Sequence, residues 1–285
     1  MNFKTYDPND LSIRDRHQML IGAIGPRPIA LTTSIDKNNN LNLAPFSFHN
    51  ILSSNPPIVG ISPALSGRTG QSKDTLKNII ETKKFTVSIV SYSMVHQMNL
   101  CAVEFDSNIN EFEVSGFSEF QTNSSIPGVK ESPVILECEL SDYIKLGDKP
   151  ASGNLILGKI SKLHLNDLIV DNQNNIDPHK IDQVGRLGLN WYSRANADLF
   201  ELGTPRYKPM GYNNIPNFIK SNKKFNNDLI NKLAYHDSSI EIENSNLTDD
   251  VSEDELVDMC IDLIIKNDTK SAWQIIKLID KSFYE

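Results

Sequence analysis

Cysteine and histidine are scarce in this sequence and are spread along it. The chain has three cysteines, Cys101, Cys138 and Cys260, and six histidines. No Cys-x-x-Cys pair and no His-Glu-x-x-His spacing joins them, so neither a disulfide framework nor a metal site is indicated. We therefore expect no bound metal, and we expect the cysteines to act as small buried apolar residues.

Basic runs and long apolar stretches are also missing. Lys and Arg total 28 against 36 Asp and Glu, which gives a net charge of −8 and no basic stripe for a phosphate backbone. The N-terminus has no apolar segment behind a basic start, and no run reaches the roughly 18 apolar residues of a membrane span. We expect neither nucleic acid nor membrane as a partner, and we expect a cytoplasmic location.

Glycine and arginine are missing from the last part of the chain. All 14 glycines lie at or before Gly211, and no arginine follows it. Residues 216–285 carry 8 Lys and 14 Asp or Glu, a net charge of −6, which leaves 20 minus 22, or −2, for residues 1–215. This asymmetry predicts a main domain over residues 1–212 and an appended acidic unit over residues 213–285.

The main domain does contain a series of β-favouring runs separated by turn residues. Residues 28–35 and 41–49 flank an Asn-rich turn segment and predict a β-hairpin. Further strands are predicted at residues 58–62, 85–90, 134–144 and 154–165. Helices are predicted at residues 13–21, from Ser72 to about residue 82, and near residues 94–102. Many strands with few helices between them favour a mainly β barrel over a doubly wound parallel sheet.

The acidic tail contains two amphipathic helix patterns. Residues 252–255 form a capping box, and apolar residues at helical spacing follow it through Ile264. Residues 271–274 open a second pattern that runs through Phe283. Two such helices must bury their apolar faces against each other, the barrel or a partner. The Asn- and Lys-rich segment 213–246 before them is expected to be partly extended linker.

A glycine-containing loop with two cations leads into the predicted second helix. The free N–H groups and the positive dipole end of a helix attract phosphate, and Arg68 and Lys73 add charge-assisted hydrogen bonds. The hydroxyls of Ser72 and Thr75 lie beside them in the sequence. Asp74 would repel a phosphate, so its expected task is to cap backbone N–H groups or to orient Lys73. The alternative is a plain capped surface helix, because such loops are frequent and the motif is not a P-loop.

Polar hydroxyls interrupt the two apolar strands of the predicted hairpin. Thr32, Thr33 and Ser34 lie opposite residues 42–50. A flat heterocycle such as isoalloxazine needs backbone and hydroxyl partners at its polar edge and apolar walls elsewhere, and small residues such as Ala44 allow close backbone approach. The alternative is that the hydroxyls face solvent and that the aromatic residues of the second strand belong to the core.

Several ordered motifs of the sequence are shared with one known family. They are Pro26-Arg27-Pro28-Ile29-Ala30, Asn42-Leu43-Ala44-Pro45-Phe46-Ser47, Ser54-Asn55-Pro56-Pro57, Lys73-Asp74-Thr75 with Asn78, Asn110-Glu111-Phe112, Glu131-Ser132-Pro133, Glu137-Cys138, Arg186-Leu187-Gly188 and Trp191-Tyr192. In this order and spacing the sequence resembles the flavin-reductase-like, flavoredoxin-type FMN-binding split barrels. The resemblance covers roughly residues 10–205 and leaves the tail outside.

The resemblance implies a homodimer of antiparallel, six-stranded Greek-key barrels with peripheral helices, to which the tail adds an α-helical extension. FMN is expected in a cleft near the subunit interface. Its isoalloxazine and ribityl groups are expected to contact Thr32, Thr33, Ser34, Ala44, Pro45, Phe46, Ser47 and Phe48. Its phosphate is expected to bind Arg68, Ser72, Lys73 and Thr75, in agreement with the anion loop. Asn50 is expected to be a supplementary flavin contact, and Arg27 is expected either to contact the flavin or to fix the entry of the first strand.

One departure from the family pattern concerns the donor side of the expected site. Leu189 stands where related sequences often have a second glycine, which would narrow the space near the flavin. Arg186 and Tyr192 are candidates to line the nicotinamide or substrate side, the alternative being a loop ion pair and a packing aromatic. His49 is a candidate proton donor near neutral pH, the alternative being a structural strand residue.

The resemblance implies an FMN-dependent NAD(P)H oxidoreductase of the flavin reductase type. The flavin performs the hydride chemistry, which agrees with the absence of a Ser-His-Asp or Cys-His signature. Electrons would pass to an acceptor that the sequence does not identify, such as a partner monooxygenase, oxygen or a small molecule. One alternative is a non-catalytic flavin-binding or electron-carrier module that docks a protein partner through its C-terminal helices. Another is a repurposed barrel that acts on a different small molecule.

Overall fold

The structure, a computed structural model, describes residues 2–241 and 251–280. The chain divides into two compact units, Met1–Leu199 and Phe200–Glu285. The division falls at residue 199, before the compositional change at residue 212. Within the described residues, no helix is long and apolar enough to cross a membrane.

The first unit is mainly β, with short helices between the strands. Its strands are β1 (Arg27–Pro28), β2 (Ala30–Ile35), β3 (Leu41–Phe46), β4 (His49–Ser54), β5 (Pro57–Ile61), β6 (Lys84–Ile89), β7 (Glu119–Phe120), β8 (Gly128–Val129), β9 (Val134–Lys145), β10 (Asn154–Leu165), β11 (Val184–Arg186) and β12 (Tyr192–Arg194). Its helices are α1 (Ile13–Ala23), α2 (Asp74–Thr82), α3 (Val95–Leu100), α4 (Glu111–Ser115) and α5 (Pro178–Ile181). The predicted strands and the three predicted helices are confirmed, with ends that differ by a few residues.

The main sheet has seven antiparallel strands in the order β3-β2-β6-β9-β10-β5-β4. The resemblance implied six. The seventh arises because the run 41–49, predicted as one strand, breaks after Phe46 and starts a new strand, β4, at His49. The remaining strands form a three-stranded sheet, β1-β11-β12, and a two-stranded sheet, β7-β8.

The connection between β3 and β4 shows that the main sheet is curled. These two strands are the opposite edges of the sheet, yet Ser47 and Phe48 alone separate them in the chain. Seven flat strands would place the edges about 29 Å apart at roughly 4.8 Å per strand. Three peptide steps span at most about 11 Å. The sheet therefore curls until its two edges lie close together, which is the geometry of an open, or split, barrel.

Strand β2 is buried on both faces of the sheet. Ala30 belongs to one apolar cluster, which includes Leu76 and Ile79 of α2 and Phe85 of β6. Leu31, the next residue, belongs to a second cluster with residues of α3 and α4. Successive side chains of a strand point to opposite faces, so two layers of helices cover the two faces of β2.

The second unit is helical and has a core of its own. Its helices are α6 (Asn217–Ser221), α7 (Asn227–Ala234), α8 (Glu253–Ile265) and α9 (Thr269–Ile279). Trp273 is completely buried among apolar residues of all four helices, and its indole N–H donates to the Leu233 carbonyl at 3.2 Å. The apolar faces that the sequence predicted thus bury one another within this unit.

The ends of α8 and α9 follow from their capping residues. The predicted capping box is confirmed, because Ser252 accepts from the Glu255 N–H and the Glu255 side chain returns to the Ser252 N–H. Helix α9 starts three residues before the predicted position, since Asp268 and not Ser271 caps it, by accepting from the Ser271 N–H at 3.1 Å. The end of the predicted pattern at Phe283 lies outside the described residues.

The expectation of a partly extended linker over residues 213–246 is corrected by α6 and α7. Both helices lie in that segment, and their Ile219, Leu229 and Leu233 are buried in the core of the second unit. The weak periodicity of the sequence reflects their shortness, because each helix contributes few apolar residues to the pattern. Residues 242–250 lie outside the described residues.

Candidate functional site

A cavity of about 350 Å³ lies between the end of β3, the start of α2 and the loop that joins α3 to α4. One wall is strand β3, and the facing wall is the segment 66–77 with its two lysines. The residues lining the cavity are Asn42, Ala44, Pro45, Phe46, Ser66, Thr69, Gln71, Ser72, Lys73, Asp74, Thr75, Lys77, Cys101, Ala102, Val103, Glu104, Phe105, Asp106, Ser107 and Glu111. The cavity thus joins the two segments that the sequence singled out separately.

The start of α2 leaves backbone donors available at the cavity wall. Lys73 is the N-cap residue, with extended φ of −67° and ψ of 148°, and no side chain of the described residues caps the helix. The first N–H groups of a helix have no intrahelical acceptor and carry the positive end of the dipole. An anion in this part of the cavity would therefore meet both backbone N–H groups and the Lys73 ammonium.

Side-chain hydrogen bonds fix α2 against the sheet. The Asn42 amide on β3 donates to the Thr75 hydroxyl at 2.8 Å and to the Ser34 hydroxyl at 3.3 Å. The Asn78 amide on α2 donates to the same Ser34 hydroxyl at 3.2 Å. Because these groups are buried or half-buried, they set the position of the helix start relative to β3.

The charges at the cavity are arranged in pairs. The Lys73 ammonium contacts the Glu104 carboxylate, and Lys77 contacts Asp74 at 2.9 Å. The hydrogen bond and charge of Lys73, together with the charge of Arg68, hold the pKa of Glu104 below its ordinary value. Glu104 is therefore ionised at neutral pH and forms a true ion pair with Lys73.

Asp74 has a different role from the two that the sequence predicted. It neither caps α2 nor contacts the Lys73 ammonium; its carboxylate accepts from Lys77 and from the Ser107 hydroxyl at 2.8 Å. Burial alone would raise the pKa of Asp74, but the hydrogen bonds from Lys77 and Ser107 lower it overall. Asp74 thus holds the loop between α3 and α4 against the start of α2.

A buried carboxyl group, Glu111, forms part of the cavity wall. It is 8% exposed and accepts from the Leu43 N–H of β3 at 2.9 Å. Burial raises its pKa, and the nearby charge of Asp74 adds to this effect, which the backbone hydrogen bond opposes. Glu111 therefore ties α4 to the same strand that forms the other wall of the cavity.

The cysteines are buried, as the sequence predicted. Of the three cysteines, Cys101 lines the cavity, and burial raises the pKa of its thiol to about 11. A thiol that stays protonated at neutral pH is a poor nucleophile. Cys101 is therefore part of the wall and not a reactive group.

The structure places six of the predicted flavin-binding residues at the cavity. They are Ala44, Pro45, Phe46, Ser72, Lys73 and Thr75. Arg68 lies in the exposed turn just before them and does not line the cavity, although its charge acts on Glu104. The strand and the anion loop were predicted from different patterns, and the fold brings them to one place.

The remaining residues of the hairpin prediction lie away from this cavity. Thr32, Thr33 and Ser34 are completely buried in β2, which is covered on both faces. Ser47, Phe48 and Asn50 follow the end of β3, and Asn50 uses its side-chain oxygen to accept from the Ile51 N–H at 2.8 Å. Burial of β2 makes Ser34 a support for Asn42 and Asn78 and not a wall residue.

The donor-side candidates are engaged within their own loops. Arg186 donates to the carbonyls of Trp191 at 3.2 Å and Leu189 at 2.5 Å, and its guanidinium lies 4.5 Å from the Tyr192 ring centroid.

Arg27 is 8% exposed and donates to the carbonyls of Ile21, Ile24 and Leu187. Arg27 thus fixes the entry of the first strand, which was one of its two predicted roles.

His49 also has a partner inside the fold. Its Nδ1 lies 3.0 Å from the Gly60 carbonyl of the neighbouring strand β5. Burial lowers the pKa of His49, although the hydrogen bond to Gly60 partly opposes this. The ring is neutral at pH 7 and donates to a backbone carbonyl, which is the structural role that the sequence left open.

Sequence reasoning missed the loop of residues 101–107 and Asn42 as wall residues. Asn42 belongs to one of the family motifs, and its side-chain amide can donate to hydroxyls such as those of Ser34 and Thr75. These two properties could have identified it as a wall residue. The loop carried no motif, and its place at the cavity depends on contacts of Glu104 and Ser107 with residues about 30 positions earlier.

Comparison with known proteins agrees with this geometry. The model of the flavin reductase like domain matches residues 23–179, which is more than half of the chain. The chain belongs to the flavin reductase-like family. Its curled antiparallel sheet is the split barrel of that family, and the class is that of flavin-related oxidoreductases.

Three solved structures are similar to this chain over about 70% of its length. Nitrilotriacetate monooxygenase component B from Bacillus cereus is 31% identical, with a TM-score of 0.67, over 71% of this chain and 100% of its own. The 2-nitrobenzoate 2-nitroreductase NbaA of Pseudomonas fluorescens is 29% identical, with a TM-score of 0.65, over 72% of this chain and 98% of its own. A protein of Shewanella frigidimarina, assigned as a flavin reductase with a split barrel domain, is 25% identical, with a TM-score of 0.61, over 72% of this chain and 100% of its own.

Proposed function

We propose that this protein binds FMN in the cavity between β3 and α2 and uses it as an NAD(P)H-dependent oxidoreductase. The observation that carries the proposal is the meeting of an apolar strand wall with an uncapped helix start and a lysine in one cavity. Membership of the flavin reductase-like family supports the flavin, and similarity to a nitroreductase and to a monooxygenase component supports redox chemistry.

The residues at the cavity fit the two chemically different ends of FMN. Ala44, Pro45 and Phe46 offer a half-buried strand wall for the apolar body of isoalloxazine. The first N–H groups of α2, the Ser72 hydroxyl and the Lys73 ammonium would hold the phosphate. The Thr75 hydroxyl already accepts from Asn42, so its part is to fix the helix start.

The chain's own contribution is binding, orientation and exclusion of water. When bound, the flavin supplies the hydride and electron-transfer chemistry, so no nucleophile is required of the protein. Asn42 and Asn78 hold α2 in register with the sheet, and Glu111 holds α4 to β3. These hydrogen bonds keep the phosphate-binding and ring-binding walls at a fixed separation.

The visible spectrum of the purified protein tests flavin binding first. An FMN-loaded sample should show an oxidised flavin band, and anaerobic addition of NADH or NADPH should bleach it. A protein that takes up no flavin would refute the proposal and favour action on a different small molecule. A bound flavin that neither nicotinamide reduces would instead favour an electron carrier.

We also propose that the protein is a homodimer. Strand β4 is an edge of the main sheet and exposes Ile51 by 55% and Leu52 by 52%. An open edge with apolar side chains gains from being covered by a second copy. Light scattering should report twice 32.0 kDa. A monomer that binds FMN stoichiometrically would remove the dimer from the proposal without affecting the flavin site.

The electron-carrier alternative has one structural feature in its favour. The second unit has its own core, and the family match ends at residue 179, before that unit begins. A separately folded helical unit is suited to docking a protein partner. This alternative requires that reduction of the flavin depend on an added protein and not on a nicotinamide alone.

A further inference from the structure

The cavity contains more carboxylates than cations. Asp74, Glu104, Asp106 and Glu111 line it, against Lys73 and Lys77. Lys77 is engaged by Asp74 at 2.9 Å. Asp74 is also held by the Ser107 hydroxyl, whereas Lys73 is the N-cap residue beside the first N–H groups of α2. Among the described residues that line the cavity, Lys73 is therefore the cation placed to meet an incoming phosphate.

Lys73 in turn is held by Glu104, which belongs to the loop between α3 and α4. Their side chains are 36% and 55% exposed. Ion pairs that are this exposed are weak, because water screens the attraction and two flexible side chains lose conformational freedom. A phosphate with a charge near −2 is a stronger partner for the same ammonium.

The loop that carries Glu104 is attached to the start of α2 at a second point. The Ser107 hydroxyl donates to Asp74, the first residue of α2, at 2.8 Å. This contact does not involve Lys73 and keeps the loop beside the cavity when the ion pair breaks. The Glu104 carboxylate would then remain close to the bound phosphate and repel it.

We infer that Glu104 competes with the flavin phosphate for Lys73 and thereby sets the affinity and the exchange of FMN. This inference rests on the proposed function, because it assigns the phosphate to Lys73. Its chemical consequence is selective: a ligand with a phosphate must displace Glu104, whereas riboflavin, which lacks the phosphate, need not. Glu104 is thus a determinant of how loosely the protein holds FMN and not one of its ligands.

Titration of full-length protein with FMN and with riboflavin, followed by flavin fluorescence, tests the inference. Glu104→Gln should bind FMN about three- to tenfold more tightly than the wild type, through loss of the competing pair and of the repulsion. Its riboflavin affinity should stay within about twofold of the wild type. Glu104→Ala should behave in the same way, and the melting temperatures of both variants report whether the fold is intact.

Glu81→Gln is a matched control. Glu81 lies on α2 and pairs with Lys37 outside the cavity. The substitution removes the same charge and the same kind of exposed ion pair, so it should leave both flavin affinities unchanged. An equal gain of FMN affinity in Glu81→Gln would mean that net charge, and not competition at Lys73, is responsible, and would overturn the inference.

The double variant of Glu104 and Lys73 shows whether Glu104 acts through Lys73. Lys73→Ala should cost more FMN affinity in the Glu104→Gln background than in the wild type, because Lys73 is then free for the phosphate. Unchanged or weakened FMN binding in Glu104→Gln, with Lys73→Ala still harmful, would refute the role of Glu104 and leave the proposed site standing. A wild-type protein that binds FMN no better than riboflavin, or binds neither, would refute the phosphate site itself.

Discussion

Two regions of the first unit place a cation beside polar or aromatic groups, but their hydrogen bonds differ. At the cavity, Lys73 faces open space across an uncapped helix start and is held by one exposed carboxylate. In the small sheet of β1, β11 and β12, Arg27 donates to backbone carbonyls at the end of α1 and to that of Leu187, and Arg186 donates to carbonyls of its own loop. A cation bound to several backbone carbonyls is a structural element, and a cation held by one replaceable carboxylate is available to a ligand.

The largest effect expected from this comparison is on folding, at Arg27. Arg27→Ala removes three hydrogen bonds from a buried cation to the carbonyls of Ile21, Ile24 and Leu187. The free energy of unfolding should fall by about 3–5 kcal/mol, as measured by urea denaturation. Arg27→Lys keeps the charge but cannot reach all three carbonyls and should be intermediate. Wild-type stability with lost flavin binding would instead make Arg27 a flavin ligand.

The next effect is on ligand affinity, at Lys73. Lys73→Ala removes a charge-assisted hydrogen bond worth about 1.5–3 kcal/mol, so FMN affinity should fall roughly ten- to a hundredfold. Riboflavin affinity should change little, and stability should stay near the wild-type value. Lys37→Ala, which removes an exposed lysine outside the cavity, is the control. Equal losses for FMN and riboflavin in a folded Lys73→Ala protein would place the phosphate elsewhere.

Arg68 should respond less strongly than Lys73. It lies in the exposed turn before α2 and does not line the cavity, although its charge reaches Glu104. Arg68→Ala should weaken FMN binding by about two- to fivefold, and added salt should reduce the difference from the wild type. A loss as large as that of Lys73→Ala would show that the turn closes on the phosphate.

Arg186 tests the other side of the comparison. Arg186→Ala loses the stacking on Tyr192 and two loop hydrogen bonds, so stability should fall by about 1 kcal/mol. FMN and riboflavin affinities should be unchanged. If the KM for the nicotinamide rises while stability is unaffected, Arg186 contacts the donor and the loop is not a closed structural element.

The smallest effect concerns protonation of His49. Burial lowers the pKa of its folded form below the ordinary 6.5, so the unfolded chain binds the proton more readily. His49 therefore stabilises the fold above about pH 6.5, and this contribution is lost as pH falls through the folded pKa. Urea denaturation at about pH 7.5 and about pH 5.5 should show a smaller drop in His49→Gln than in the wild type. An equal drop in both proteins would exclude His49 as its source.

Local patterns in the sequence predicted much of the fold correctly. The hairpin of β2 and β3 is set by Asp36, whose carboxylate accepts from the N–H groups of Asn38 and Asn40 at 2.8 Å. The capping box of α8 is a similar case. In both, the deciding contacts lie within a few residues, so the pattern and the structure contain the same information.

The candidate site was predicted less completely, because its missing parts depend on contacts far apart in the sequence. In the sequence, Thr32 to Ser34 fit either flavin contacts or solvent-facing hydroxyls, and their burial becomes evident only when the elements on both faces of β2 are known. Glu104 belongs to a loop without a motif and reaches Lys73 through the packing of α3 and α4. Arg186 is held by the backbone carbonyls of Leu189 and Trp191, and the position of these carbonyls cannot be predicted from the residue types of the loop.

The two-residue link of Ser47 and Phe48 between the edges of the main sheet has a mechanical consequence. It fixes how far the curled sheet can spread, and so it limits the separation of the edge strands β3 and β4. One residue added to the hairpin turn would leave this span unchanged. One residue added to the link would let the edges β3 and β4 separate, or would shift β4 by one position against β5. A shift of one position turns every side chain of the strand to the opposite face of the sheet. The length of this two-residue link thus holds the two edges of the barrel together and sets the register of β4.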